Sequence, residues 1–153
     1  MGYRNSEGFY DPTAGAAIDN VMREDEIRQE RQRRHEEEIV SRPTVYIASK
    51  YAGDVTRNIK VAKLACRFAV KHGYRPLAAH LLYPRFMNDK DPEERLVGTM
   101  FGIAMLQGCD EVWVITEDDA HKEISEGMQR EIDEAMNLGI PVRYFSTKEI
   151  IHG

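Results

Sequence analysis

Glu131 is the residue whose position in the sequence most strongly suggests chemistry. The last long predicted helix carries an apolar stripe that includes Met128, Ile132 and Ala135, and Glu131 is the polar residue that falls within it. A buried carboxylate is costly unless it is paired, hydrogen-bonded or faces a cavity. Two interpretations therefore stand: a structural carboxylate that pairs with an arginine or caps a loop, and a carboxylate that faces a ligand pocket.

The turn before this helix could hold an anion. Ser125 can cap the helix, and Gly127 would let a ligand approach the backbone closely, with Met128 next in the chain. The free amides at a helix N-terminus favour negatively charged groups such as phosphate. The turn is therefore a candidate binding element, although a serine cap followed by glycine is common.

A second candidate loop follows the first predicted strand. It offers Tyr51 for stacking on a base or sugar and Lys50 for a phosphate, and Ser49 precedes both. Asp54 either caps the next helix or belongs to the site, and Asn58 lies one turn further on. We predict that all five residues contribute to substrate binding.

His80 follows the second predicted strand and is the remaining candidate binding residue. The alternative for His80 is a loop histidine hydrogen-bonded to backbone. The spacing of the histidines does not match a zinc site, so no metal is expected. P-loop, GxGxxG and GxSxG motifs are missing as well, and no cofactor is expected.

These loops are positioned by alternating strands and helices. Short β-rich runs begin at Thr44, Arg75, Glu111 and Pro141, and amphipathic helical segments separate them. This alternation predicts a three-layer α/β/α sandwich, a flavodoxin- or Rossmann-like parallel sheet in the order 2-1-3-4. Ligands bind such sheets beyond the carboxyl ends of the strands where the order reverses, which selects the loops 49–54 and 116–128.

Residues 1–42 are predicted to form a mostly helical, highly charged arm before an α/β domain at 43–153. Asp11-Pro12 is a typical helix start, and 12 of the 16 residues from Arg23 to Glu38 are charged. The arm is either a solvated linker helix or an oligomerisation arm. In the second case its Ala14–Met22 stripe and the Phe9/Tyr10 pair would lie on a neighbouring subunit of a homo-oligomer, to which helices of the α/β domain would also contribute.

Composition excludes several classes of protein. The net charge of −5 argues against nucleic acid as a partner, and no apolar run is long enough to span a membrane. Cys66 and Cys109 lie in apolar segments and are interpreted as reduced, buried thiols. Together these features predict a cytoplasmic protein with a small-molecule partner.

Three segments resemble the nucleoside 2-deoxyribosyltransferase-like superfamily, most closely its uncharacterised bacterial and phage branch. They are VYIAS in the first strand, CDEVWVI around the third, and SEGMQREIDEAMNLGIPV, within a resemblance that covers about Thr44 to Phe145. In that superfamily a Tyr-x-Ala segment of the first strand starts the substrate pocket. A Gly-Thr-x-x-Glu-x-x-x-Ala segment supplies a nucleophilic glutamate, which corresponds here to Glu131.

The resemblance implies attack by the carboxylate on the anomeric carbon of a nucleoside or nucleotide, which expels the base. Two positions depart from the family pattern. The threonine after the glycine is Met128, and the acidic residue expected eight positions before Asp110 is Gly102, for which Asp118, Asp119 or His80 could substitute. Three functions follow: an N-glycosidase or deoxyribosyltransferase acting through Glu131, a non-catalytic module that binds a nucleotide or nucleotide-derived signal, and an oligomeric scaffold with a relict pocket.

Overall fold

The computed structural model describes residues 4, 6–9, 11–117 and 124–153, which fall into two compact units, Met1–Ser41 and Arg42–Gly153. The first unit is dominated by one helix, α1 (Pro12–Val40). The second unit contains the remaining elements in the following order: β1 (Thr44–Ala48), α2 (Val55–Lys71), β2 (Arg75–Leu77), α3 (Pro92–Gln107), β3 (Glu111–Thr116), α4 (Glu126–Asn137), β4 (Val142–Ser146) and α5 (Thr147–His152). No helix in the described part of the chain is both long and apolar enough to cross a membrane.

Helix α1 begins where the sequence predicts. The Asp11 carboxylate accepts hydrogen bonds from the backbone N–H groups of Thr13 and Ala14, at 3.0 and 3.1 Å, and Pro12 occupies the first turn. Ion pairs at helical spacing join Glu30 to both Arg33 and Arg34. None of the 29 residues of α1 is buried, so this helix contributes no core.

The second unit confirms the predicted α/β fold and strand order. Four parallel strands pair in the order β2-β1-β3-β4. Tyr46 of β1 lies opposite Leu77 on one side and Val112 on the other, which places it at the centre of the sheet. All five residues of β1 are buried, as expected for a central strand covered on both faces.

The alternation of side chains along β1 separates two cores. Val45 and Ile47 pack with α2 and α5, whereas Tyr46 and Ala48 pack with α3 and α4. The second of these faces contains the candidate site residue Glu131. Helix α4 places the Glu131 side chain against Tyr46 of the central strand β1.

Strand β2 is shorter than the sequence predicts, and the segment that follows it contains more regular structure. The sequence predicts a strand from Arg75 to Ala79 and a long loop from His80 to Lys90. Instead the strand ends at Leu77, and two 3₁₀ turns follow, Ala79–Leu81 and Tyr83–Arg85. Each turn closes through local i→i+3 backbone hydrogen bonds, which leave no hydrophobic periodicity in the sequence to detect.

Both cysteines are free. Cys109 is buried and Cys66 is partly buried. Burial raises the pKa of each thiol to about 11, so both are protonated near neutral pH.

Candidate active site

The candidate site is built around a hydrogen bond between β1 and α4. The Tyr46 hydroxyl donates to Oε1 of Glu131 at 2.6 Å, although the two residues are 85 positions apart in the chain. Tyr46 is fully buried and Glu131 is 8% exposed. The other carboxylate oxygen, Oε2, is buried and makes no hydrogen bond with the described residues. One oxygen of Glu131 is thus held in place, while the other has no hydrogen-bond partner among the described residues.

Burial dominates the electrostatics of Glu131. The pKa of its carboxyl rises from 4.5 to about 7 because desolvation disfavours the charged form, and the Tyr46 hydroxyl opposes this rise. Burial and the nearby Glu131 charge also raise the pKa of Tyr46 well above its usual value. Tyr46 therefore stays protonated and acts as a hydrogen-bond donor, whereas Glu131 changes its charge near neutral pH.

A cavity of about 200 Å³ opens next to Glu131. Among the residues proposed from the sequence, seven line it: Lys50, Tyr51, His80, Ser125, Gly127, Met128 and Glu131. The structure therefore brings together, in one concave site, side chains from three loops and from α4. Such convergence of apolar walls and a few polar groups is typical of small-molecule sites.

Three other residues proposed from the sequence do not line this cavity. Ser49 is buried, and no described residue is a hydrogen-bond partner of its hydroxyl. Asp54 caps α2 by accepting from the backbone N–H of Arg57 at 3.2 Å. The Asn58 side chain donates to the backbone carbonyls of Tyr51 and Ala52, at 2.9 and 3.0 Å. Asn58 thus fixes the loop that carries Tyr51.

Tyr51 and His80 form one wall of the cavity. Their rings stack at a centroid distance of 5.1 Å and an interplanar angle of 21°. His80 also hydrogen-bonds to the backbone of Ser49, and burial lowers its pKa despite the opposing charge of Asp89. The imidazole is therefore favoured in its neutral form and presents a flat face beside the tyrosine.

The N-terminus of α4 has the predicted local structure. The Ser125 hydroxyl accepts from the backbone N–H of Met128 at 3.2 Å and caps the helix. Met128, Glu131, Ile132 and Ala135 are the buried residues of α4. The helical periodicity also predicts Met136 and Leu138 within the apolar stripe, but their side chains are 68% and 49% exposed. The buried stripe is therefore narrower than expected, and Glu131 lies within it.

Gly102, on α3, lies close to both Tyr46 and Glu131. A Cβ atom built at this position would be 3.1 Å from the Tyr46 hydroxyl, 3.4 Å from the Ala79 Cβ and 3.8 Å from Glu131 Oε1. The missing side chain leaves the space that the tyrosine hydroxyl needs. The position that lacks an acidic residue is thus in direct proximity to the carboxylate.

Sequence reasoning missed most of the wall formed by the 3₁₀ turns and α3. The further lining residues are Ala52, Ala79, Tyr83, Pro84, Met87, Asp89, Glu94, Arg95, Gly98, Thr99, Gly102 and Glu126. It also missed the contact of Tyr46 with Glu131, for which the Tyr-x-Ala segment was the available signal.

Asp118 and Asp119, considered as substitutes for the acid, lie outside the described residues, as does Tyr10 of the predicted arm contact. No group of three or more metal-ligating side chains occurs in the part of the chain that the structure describes.

Comparisons with known proteins connect this site to a fold. A 2-deoxyribosyltransferase from Bacillus psychrosaccharolyticus superimposes with a TM-score of 0.54 and 18% sequence identity, over 67% of this chain and 72% of that chain. A 2-deoxyribosyltransferase from Leishmania mexicana gives a TM-score of 0.50 and 19% identity, over 68% of this chain and 64% of that chain. These values show that the chain shares the α/β fold of 2-deoxyribosyltransferases.

Comparison of sequences gives a family without an assigned activity. A family model described as "Domain of unknown function (DUF7768)" matches residues 43–145. No curated protein matches the chain. The match covers nearly all of the second structural unit and includes Tyr46, Gly102 and Glu131.

Proposed function

Since the chain belongs to the DUF7768 family, whose description assigns no activity, we propose its function from the site itself: it binds a nucleoside or nucleotide and cleaves or transfers the N-glycosidic bond through Glu131. One observation carries this proposal. Glu131 is a buried carboxylate that lines a cavity of about 200 Å³; Tyr46 holds one of its oxygens, and the other has no hydrogen-bond partner among the described residues. The fold shared with 2-deoxyribosyltransferases supports it.

The chemistry follows from the two oxygens of Glu131. Oε2 attacks C1′ of the sugar, a C1′–O bond forms, and the C1′–N bond breaks with its electron pair leaving on the base, which takes up a proton from solvent. Water or a second base then attacks C1′, which releases the sugar product and regenerates the carboxylate. The Tyr46 hydroxyl orients Glu131 through Oε1 and leaves Oε2 for this attack.

Binding would use the two aromatic rings and the α4 turn. The stacked Tyr51 and His80 rings offer a flat surface to a base. Lys50, Ser125 and the backbone at Gly127 line the same cavity and can contact the sugar or a phosphate.

The test is base release by the wild-type protein and two variants. Nucleosides, nucleoside monophosphates and dinucleotides are first screened by thermal shift, and each hit is then assayed for free base. Glu131→Gln should abolish base release, whereas Asp133→Asn, which changes an exposed carboxylate of the same helix, should preserve it. A ligand that binds without base release would instead identify a non-catalytic nucleotide-binding module, the function favoured by the missing side chain at Gly102.

Helix α1 is proposed to mediate self-association. It has no buried residues, and Ile18, Val21 and Met22 of its apolar stripe are 40%, 58% and 58% exposed. A single solvated helix gains little stability without a packed face. A second copy of the helix would supply a face of the same kind.

A further inference from the structure

The described lining of the cavity carries an excess of negative charge. The lining contains four acidic side chains, Asp89, Glu94, Glu126 and Glu131, and two basic side chains, Lys50 and Arg95. His80 does not correct the imbalance, because burial favours its neutral form. Electrostatically, such a cavity favours a ligand with a positive charge near Glu131.

Aromatic side chains add to this preference. Tyr51 is stacked on His80, and Tyr83, whose ring centroid is 5.2 Å from that of Phe101, lines the cavity as well. The faces of such rings attract cations through their negative electrostatic potential. Charge and aromatic lining therefore point in the same direction.

The surroundings of Glu131 also restrict the leaving group. A neutral purine or pyrimidine must take up a proton as it departs, usually from a general acid. Beside Glu131, position 102 offers no side chain and the Tyr46 hydroxyl is committed to Glu131 Oε1. The same hydroxyl is a weak acid, because its pKa lies well above the usual value. His80, which lines the same cavity, is favoured in its neutral form because burial lowers its pKa. A base that already carries a positive charge needs no such proton.

We propose, on the basis of the function proposed above, that the preferred substrates are N-glycosides whose base carries a fixed positive charge, with pyridinium nucleosides as the simplest class. A buried carboxylate, an acidic and aromatic cavity, and the glycine beside the carboxylate together support this preference.

The reaction balances without an external acid. Glu131 Oε2 attacks C1′, and the C1′–N⁺ bond breaks with its electron pair moving to the ring nitrogen. The pyridinium leaves as a neutral pyridine, and the sugar remains as an ester of Glu131. Water hydrolyses the ester, which yields the free sugar, the Glu131 carboxylate and one proton.

The experiment compares pairs of substrates that differ in charge. Nicotinamide riboside is paired with its neutral 1,4-dihydro form, and 7-methylguanosine with guanosine; the 2-deoxyribose forms are included. For every compound, the rate with Glu131→Gln is subtracted to remove uncatalysed loss, and Asp133→Asn serves as the matched control. We expect kcat/KM to be at least about 100-fold higher for the charged member of each pair, since acid assistance is worth about 10²–10⁴-fold.

A second measurement separates charge recognition from the inherent lability of charged substrates. Asp89→Asn combined with Glu126→Gln should raise the Kd of nicotinamide riboside severalfold and leave that of the dihydro form unchanged. Binding is measured in the Glu131→Gln background, so that no turnover intervenes.

The outcomes distinguish this proposal from the one on which it rests. Selective, Glu131-dependent cleavage of the charged members supports both. Comparable or faster Glu131-dependent cleavage of the neutral members overturns the charge preference and leaves the N-glycosidic chemistry standing. If no compound loses its base, both proposals fail.

Discussion

The Tyr46 hydroxyl holds Oε1 of Glu131 at 2.6 Å inside the core of the α/β unit. This bond has two consequences of opposite sign. It stabilises the ionised carboxylate, while burial destabilises it, and burial dominates because the pKa of Glu131 lies at about 7. The pKa of Glu131 is thus set mainly by burial, and the hydrogen bond from Tyr46 on β1 lowers it.

Tyr46→Phe should move the pH dependence of base release. Without the donor, the pKa of Glu131 rises further, since a hydrogen bond to a charged group is worth about 1.5–3 kcal/mol, or about one to two pH units. The ascending limb of kcat/KM, which we expect near pH 7 in the wild type, should shift to higher pH by that amount. Tyr74→Phe, on the opposite face of the sheet, is the control and should leave the profile in place. A uniform loss of activity with no shift would mean that Tyr46 has only a structural role.

Glu131→Gln should stabilise the protein at alkaline pH. The folded state retains the carboxyl proton between pH 4.5 and about 7 while the unfolded state has lost it, so the free energy of unfolding falls as pH rises through this window. At 1.36 kcal/mol per pKa unit, the ionised carboxylate costs the wild type about 3 kcal/mol above pH 7. Urea unfolding at pH 5 and pH 8 should show a gain for Glu131→Gln that grows towards pH 8. A gain that is equal at both pH values would contradict the raised pKa of Glu131.

Gly102→Ala should disturb the pair directly. The added methyl group would lie 3.1 Å from the Tyr46 hydroxyl and 3.4 Å from Ala79, closer than ordinary van der Waals contact. Overpacking of this kind costs about 1–3 kcal/mol of stability. Gly98→Ala, on the same helix, would meet only Met87 Sδ at 3.9 Å and should be neutral or stabilising.

A double-mutant cycle tests whether the tyrosine hydroxyl is the obstacle. In the Tyr46→Phe background, Gly102→Ala should destabilise less than it does in the wild type, because the atom it displaces is gone. Thermal and urea unfolding of the four proteins provide the measurement. Strict additivity would show that the clash is relieved elsewhere.

The burial of Glu131 could be predicted from the sequence because its carboxylate interrupts the apolar stripe of a helix. A carboxylate within an apolar helical stripe is conspicuous in any sequence, and the alternation of strands and helices was sufficient to predict the sheet order that the structure confirms. Tyr46 violates no pattern. A tyrosine in a fully buried strand is indistinguishable from core until its partner, 85 residues away, is known.

The cavity wall formed by the 3₁₀ turns could not be predicted from the sequence, and the reason is a different one. Residues 79–85 form two 3₁₀ turns, whose short local hydrogen bonds impose no periodicity on hydrophobic side chains. The contribution of Tyr83 depends on where those turns place it against α3. Asn58 shows the reverse case, since its proximity to the site in sequence suggested ligand binding while its amide holds the loop backbone.

The apolar stripe of α1 yields the last prediction. If a second copy of the chain covers this stripe, Val21→Glu should lower the native mass, because a charge at the centre of an apolar interface is not tolerated without a partner. Asn20→Glu adds the same charge to the same helix outside the stripe and should leave the mass unchanged. Sedimentation equilibrium of the full-length chain measures both. A wild-type protein that is monomeric, or an oligomer that survives Val21→Glu, would show that α1 is a solvated helix and that self-association, where present, uses another surface.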